Sequence, residues 1–430
     1  MKNATPNDTT NTTSILNAGS LSRRDVLFGL GSAALLYGPL AACRKETGAS
    51  ATARPVPLNV NSPTLTTAYI PILDSVPLIV AHAKGFLTSA GVKSEKPVLI
   101  RAWPALLEAF TAQKVLLTHV LLPQVIVLRY MRKVPLRTVG FNHTDVVAMA
   151  VSKQIGTLPR LGGKVVGCPT WWAPHTGIFQ DVLRSAGLRP VVGKEQADLA
   201  ADEVAFRVLA PPDMVEGLKS GGIAGCTVSE PFGAAAEVLA GATIVKMSGD
   251  VWRDHPCCQS VMLESNLNRD RKWAEAVTTA IYQAALWANN NREELADLLG
   301  SDGGGYFPMP KAVIRRALLK QDLDTYGPRG TGAIMHTDWN VYRVKFVPYP
   351  YASAFQTTID MMRRMVVDPA SALSPAMQTL TGDQIRRDIL DEDLANKGIA
   401  AVGGIRSFGL DSLTRTEQYD VVLKPNEKRQ

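Results

Sequence analysis

Apolar positions along the chain switch between a period of two and a period near 3.6, and the switches predict the elements. LTTAYIP (residues 65–71) reads as a strand, and VPLIVAHAK (76–84) as a helix stopped at Gly85. A strand over PVLIRAW, a helix near Pro104 to Gln113, a short strand near Leu116 to Val120, a helix through QVIVLRYMRK and a strand PLRTVGF follow. A second set runs GKVVGCP (strand), PHTGIFQDVLRSAG (helix ended by Gly187), VAFRVLAP, and then PDMVEGLKSGG, a helix that starts with Pro and stops at Gly. IAGCTVS is a strand, EPFGAAAEVLAG a helix with Ser229 as its expected N-cap, and TIVKM a closing strand. This βαβα rhythm predicts an α/β protein with two mostly parallel sheet units, the second between about residues 142 and 246. A long helical pattern runs from Asp270 to Gly300, and beyond about residue 366 the chain turns polar and predicts a loop-rich, weakly specified extension.

A chain of 430 residues has room for two cores, and 46% hydrophobic with 20% charged residues is ordinary for a globular protein. The net charge of +7 is spread along the chain, so there is no basic stripe of the kind that binds nucleic acid. The N-terminus changes the picture. SLSRRDVLFGLGSAALLYGPLAAC places Arg23 and Arg24 ahead of an apolar run too short to span a bilayer comfortably, and ends it at Cys43. It resembles a twin-arginine export signal joined to a lipobox, which implies a signal peptide over 1–42, lipidation at Cys43 and an exported, membrane-anchored protein. Residues 43–63 then read as a polar tether. Cys168, Cys226, Cys257 and Cys258 remain, too few and too irregularly spaced for a disulfide framework or a zinc module.

Several stretches, in order, resemble the solute-binding proteins of ABC importers, the group that handles nitrate, bicarbonate, sulfonates and the thiamine pyrimidine. VPLIVAHAKGFLTSAGV resembles the group's first helix and turn, and LGGKVVGCP the start of its second lobe. LAPPDMVEGLKSGGIAGCTVSEPFGAAAEV is the most specific match, and DVWRDHPCC resembles the Trp-x-x-His-Pro segment of the nitrate- and bicarbonate-binding branch. The resemblance implies a two-lobe periplasmic-binding-protein fold (type II), with the second lobe (142–246) inserted into a first lobe made of 64–141 and 247–365. Residues 366–430 form an extension outside it. It implies no cofactor and no bond chemistry. The partners are a small-molecule ligand, an ABC permease and its ATPase, and the membrane through the lipid anchor.

On the same resemblance Trp103 matches a pocket tryptophan, His175 a ligand-contacting histidine at a helix N-terminus, and Glu230 the acid of a Glu-Pro motif. Position alone adds Asp74 and Ser75 after the first strand, and His119 and His143 at the ends of the third and fourth strand regions. His255, Cys257 and Cys258 fall on the cleft rim. The nitrate pattern has Glu and Lys where this chain has Cys257 and Cys258, so a direct counter-charge for a bare anion is missing. Packing, recognition and a soft N/S metal site using His255 and one of the other histidines with the cysteines all stay open for the pair, although adjacent cysteines in a strand point apart. A planar pyrimidine-like ligand stacked on Trp171, Trp172 or Trp252 is an alternative. Two enzymes share the fold, but the desulfinase needs a cysteine where Asp74 and Ser75 stand, and the thiamine-pyrimidine synthase a denser cysteine cluster.

Overall fold

The computed structural model describes residues 58–59 and 61–428. Arg23, Arg24, Cys43, the signal peptide and most of the tether lie outside the described residues. In chain order the strands are β1 (Ala68–Tyr69), β2 (Val98–Leu99), β3 (Thr118–Leu121), β4 (Leu136–Phe141), β5 (Thr144–Asp145), β6 (Val147–Val151) and β7 (Lys164–Cys168). They continue as β8 (Arg189–Val191), β9 (Glu203–Val208), β10 (Gly225–Ser229), β11 (Thr243–Met247), β12 (Cys258–Leu263) and β13 (Val344–Lys345).

Two sheet systems result. In the first, β12 lies antiparallel between β3 and β4, the parallel pair β1 and β2 stands alongside, and a bridge from Thr67 to Leu117 joins the two groups. The second is a six-stranded sheet in the order β11-β6-β10-β7-β9-β8, parallel across β10, β7, β9 and β8. Strand β6 runs antiparallel to both β10 and β11. Its strands are apolar on both faces because helices cover both sides: Val147 to Val151 are all buried.

The chain passes between the systems twice, through residues 142–146 and again through 248–257. Asp145 and Val146 hold φ angles of +66° and +87° at the first crossing. For a β-branched residue such as Val146 this is a strained conformation, kept by its surroundings. Val146 gives its N–H to the Arg343 carbonyl at 2.5 Å, and Asp145 pairs with Val344 through β5 and β13.

Three expectations change. Ser229 does not cap a helix, because β10 runs through it and the helix begins only at Phe232; Glu230 takes over, its carboxylate accepting the Ala234 N–H at 2.9 Å. The Asp270–Gly300 pattern is two helices, Arg271–Asn290 and Arg292–Leu299, broken at Asn291. Beyond residue 366 the chain is not loosely specified: helices Gly382–Ile389 and Glu392–Ala401 form, the first with a capping box between Thr381 and Gln384. The short helices bury Ile385, Ile389 and Leu394, and a bridge from Leu390 to Thr138 covers the open edge of β4. Few apolar residues suffice there, which is why the stretch looks polar in sequence. Among the described residues no helix is long and apolar enough to cross a membrane.

Candidate functional site

Strand β12 organises the site. Ser260 pairs with His119 across to β3, and Cys258, two residues earlier, shares the same face. That diagonal brings His119 Nδ1 to 3.5 Å from Cys258 Sγ. Nε2 of His119 accepts the Ile70 N–H at 3.0 Å, so Nδ1 carries the proton and donates it towards the sulfur. Burial pushes His119 down to about 4, which keeps the ring neutral. Trp103, at the start of the helix Trp103–Thr111, meets this imidazole edge-on with ring centres 5.4 Å apart.

Cys257 lies one residue outside β12, so strand alternation does not yet separate it from Cys258. Both thiols therefore reach one cluster, correcting the expectation that they point apart. Cys257 Sγ donates to Asp74 Oδ1 at 3.3 Å, and His143 Nε2 lies 3.1 Å from the same oxygen. Burial alone would raise Asp74, but the His143 charge and hydrogen bond overcome it and hold the carboxyl below its usual range. Burial likewise opposes charge on His143, which Asp74 brings up to about 10. Burial drives Cys258 well above the ordinary thiol value and acts on Cys257 in the same sense. The neighbouring Cys258, and after it His143 and His175, nevertheless draw Cys257 down to about 6, so the two sulfurs titrate as a pair.

His175 stands in the first turn of the helix Pro174–Ser185, beside Cys257, and comes from the six-stranded side. Both its ring nitrogens are buried without a hydrogen-bond partner, as are Asp74 Oδ2 and His143 Nδ1. The structure thus gathers Asp74, Trp103, His119, His143, His175, Cys257 and Cys258 from both sheet systems into one centre closed to solvent. Asn142, which sequence reasoning missed, braces it: its side chain donates to the Asp74 carbonyl at 2.9 Å and accepts from Ser260 Oγ at 2.6 Å. An Asn-His pair at the end of a strand, next to a crossing, was the available signal.

Other expected residues are engaged elsewhere. Ser75 Oγ donates to the Ile72 carbonyl. The Glu230 side chain is held by Arg343. His255 is pushed down to about 3 by burial and bonds to Ser248 Oγ (2.7 Å) and the Pro256 carbonyl (3.2 Å), leaving the cysteines to Asp74 and His143. Trp172 and Trp252 donate to Ser371 and Glu417 of the C-terminal segment. Cys168 and Cys226 are core thiols pushed up to about 12 by burial. A surface hollow of about 360 Å³ near Arg137 and Glu264 lies apart from the cluster, and these two charges pair with one another.

A family model described as the NMT1-like family matches residues 59–300. The chain belongs to the NMT1-like family. The chain is 24% identical over 375 residues to the nitrate/nitrite binding protein NrtA of Nostoc sp., covering 77% of this chain and 81% of that one. It is 26% identical over 246 residues to the nitrate import ATP-binding protein NrtC of Synechocystis sp., of which it spans 36%. The crystal structure of the periplasmic nitrate-binding protein NrtA from Synechocystis PCC 6803 superposes with a TM-score of 0.66 at 19% identity, over 83% of this chain and 93% of that one. The fold is that of the periplasmic binding proteins.

Proposed function

We propose that this NMT1-like protein is the extracytoplasmic solute-binding component of an ABC importer. It captures a small solute between two lobes, closes over it, and hands it to a permease driven by an ATPase, with no bond made or broken. One observation carries the reading: polar side chains from both sheet systems converge on a buried centre, and several of their donors and acceptors are unused. Buried polar groups are normally satisfied, so unused ones around a closed centre fit a molecule that belongs there.

Nitrate and nitrite, named for the relatives, are the first solutes to consider. The centre departs from a simple anion trap, however. Lys246 and Arg343, buried cations among the described residues, are spent on Asp250 and on Glu230 with Glu237. An anion would have to be held by the imidazoles. Arg23, Arg24 and Cys43 support export and lipid anchoring; a Cys43→Ser variant is expected to leave the membrane fraction.

Thermal unfolding of the protein against nitrate, nitrite, bicarbonate, taurine, alkanesulfonates and pyrimidines tests the reading. A solute held at ~100 times its dissociation constant adds about 2.7 kcal/mol. A panel in which nothing shifts the transition, with no small molecule released on denaturation, would sink it.

A further inference from the structure

We propose that Asp74, His143, Cys257 and Cys258 bind one thiophilic divalent d-block cation of the zinc class. One ligand atom from each of the four lies within 4.8 Å of the others, and all four residues are buried. Around a tetrahedral ion with bonds of about 2.0 Å to nitrogen and oxygen and about 2.3 Å to sulfur, neighbouring ligand atoms stand roughly 3.3–3.8 Å apart. The contacts from Asp74 Oδ1 to His143 Nε2, 3.1 Å, and to Cys257 Sγ, 3.3 Å, are already close to that spacing. Two sulfurs, an imidazole and a carboxylate suit a soft cation and discriminate against magnesium and calcium, which take oxygen.

The cluster is also unfinished without a cation. His143 Nε2 faces Asp74 Oδ1 and at the same time receives the Cys258 amide N–H at 3.2 Å. A proton on Nε2 serves the carboxylate and orphans the amide; a bare Nε2 serves the amide and sets two lone pairs against each other. Asp74 Oδ2 and His143 Nδ1 add unpartnered buried capacity in the same place. A cation shared by Asp74 Oδ1, His143 Nε2 and the sulfurs replaces the opposed lone pairs with bonds, and coordination releases the thiol protons.

The surroundings have the form of a supporting layer. The His119 N–H directed at Cys258 Sγ favours the thiolate, and Asn142 holds the main chain of Asp74. This inference goes beyond the importer reading, since the coordination stands on these four side chains whether the ion is the solute or a fixture beside it.

The full chain, reduced and stripped with a chelator, is titrated with Co²⁺ and read by absorption. The expected result is one Co²⁺ per chain, with the visible bands of tetrahedral coordination and a near-ultraviolet thiolate-to-cobalt band, all displaced by Zn²⁺. Cys257→Ser/Cys258→Ser loses the charge-transfer band, and Asp74→Asn keeps it with weaker affinity. Absence of that band, or its survival without both cysteines, overturns the proposal. Should the variants not fold, the wild type decides: a Zn²⁺-induced thermal shift saturating at one equivalent supports the site, and no shift overturns it. A solute shift without a cobalt site removes the metal and leaves the importer reading standing; a cobalt site without a response to any panel solute keeps the metal and removes the anion and pyrimidine readings.

Discussion

Arg343 Nη1 and Glu230 Oε1 meet at 2.6 Å with both side chains fully buried. Arg343 also reaches Glu237 at 2.8 Å, the Tyr326 hydroxyl at 2.9 Å and Gln321 at 2.7 Å, so its guanidinium is well supplied with acceptors. Its main-chain carbonyl takes the N–H of the strained Val146, so one residue ties the end of β10 to the first crossing between the sheet systems. Arg343→Met leaves Glu230 buried without its counter-charge and is expected to destabilise the protein by about 3–5 kcal/mol. Adding Glu230→Gln should recover much of that loss, and urea denaturation of the two variants would measure both. A small effect of the single variant would mean that Glu230 is not held ionised by this contact.

Much of the fold can be read from the chain because strands buried on both faces and helix ends leave plain marks. Val147 to Val151 and Val165 to Cys168 are apolar runs of strand length, and Gly221 and Gly241 sit at helix ends with φ angles of +80° and +62°, which glycine adopts without strain. The site is legible only as a set of element ends. Nothing local shows that Asp74 pairs with His143, since the first sheet system brings them together from distant parts of the chain. That Cys257 and Cys258 face one cluster depends on β12 starting at the second of them. Arg343 has no local mark as a buried cation, and the C-terminal helices hide because few of their residues need be apolar.

Glu203, on β9, accepts from Lys194 Nζ at 2.8 and 2.9 Å and from the Ala200 N–H at 2.9 Å, with Arg189 beside it. The Lys194 hydrogen bond and then the Ala200 amide hold its carboxyl down to about 2. A depressed carboxyl contributes stability above its unfolded value, near 4.5, and loses it as the pH falls through about 2. Wild type should therefore melt above Glu203→Gln at neutral pH, with the gap narrowing below pH ~4.5. Melting curves across that range check it, and a gap independent of pH would assign the difference to packing.

The last residues strap the second crossing. Trp252 Nε1 donates to Glu417 at 2.6 Å, Arg253 N–H to the Gln418 carbonyl at 3.0 Å, and Lys246 Nζ to the Val422 carbonyl at 2.8 Å. Tyr419 packs on Trp252 with ring centres 5.6 Å apart, and its hydroxyl donates to Asp181 at 2.6 Å. Ending the chain after Asp411 uncovers Trp252 and removes an acceptor from buried Lys246. The expected loss is more than about 2 kcal/mol, with new protease cleavage around residues 248–256. Unchanged cleavage and melting would show that the strap adds nothing to stability.

His175 separates a binding role from a packing role. Both ring nitrogens are buried and unpartnered, a state that costs about 1–3 kcal/mol when no ligand repays it. His175→Leu keeps comparable bulk and deletes the unsatisfied atoms. In the absence of solute its stability should match or exceed that of wild type by up to about 1 kcal/mol, as removal of an unpaired polar group predicts. If the ring is there to meet a solute, the same variant loses the solute-induced thermal shift that wild type shows. Calorimetric titration of the two proteins with the solute identified from the panel gives the answer. An undiminished affinity in His175→Leu would mean that the ring only fills space at the end of its helix, and the site would then have to be drawn around Asp74, His143 and the cysteines alone.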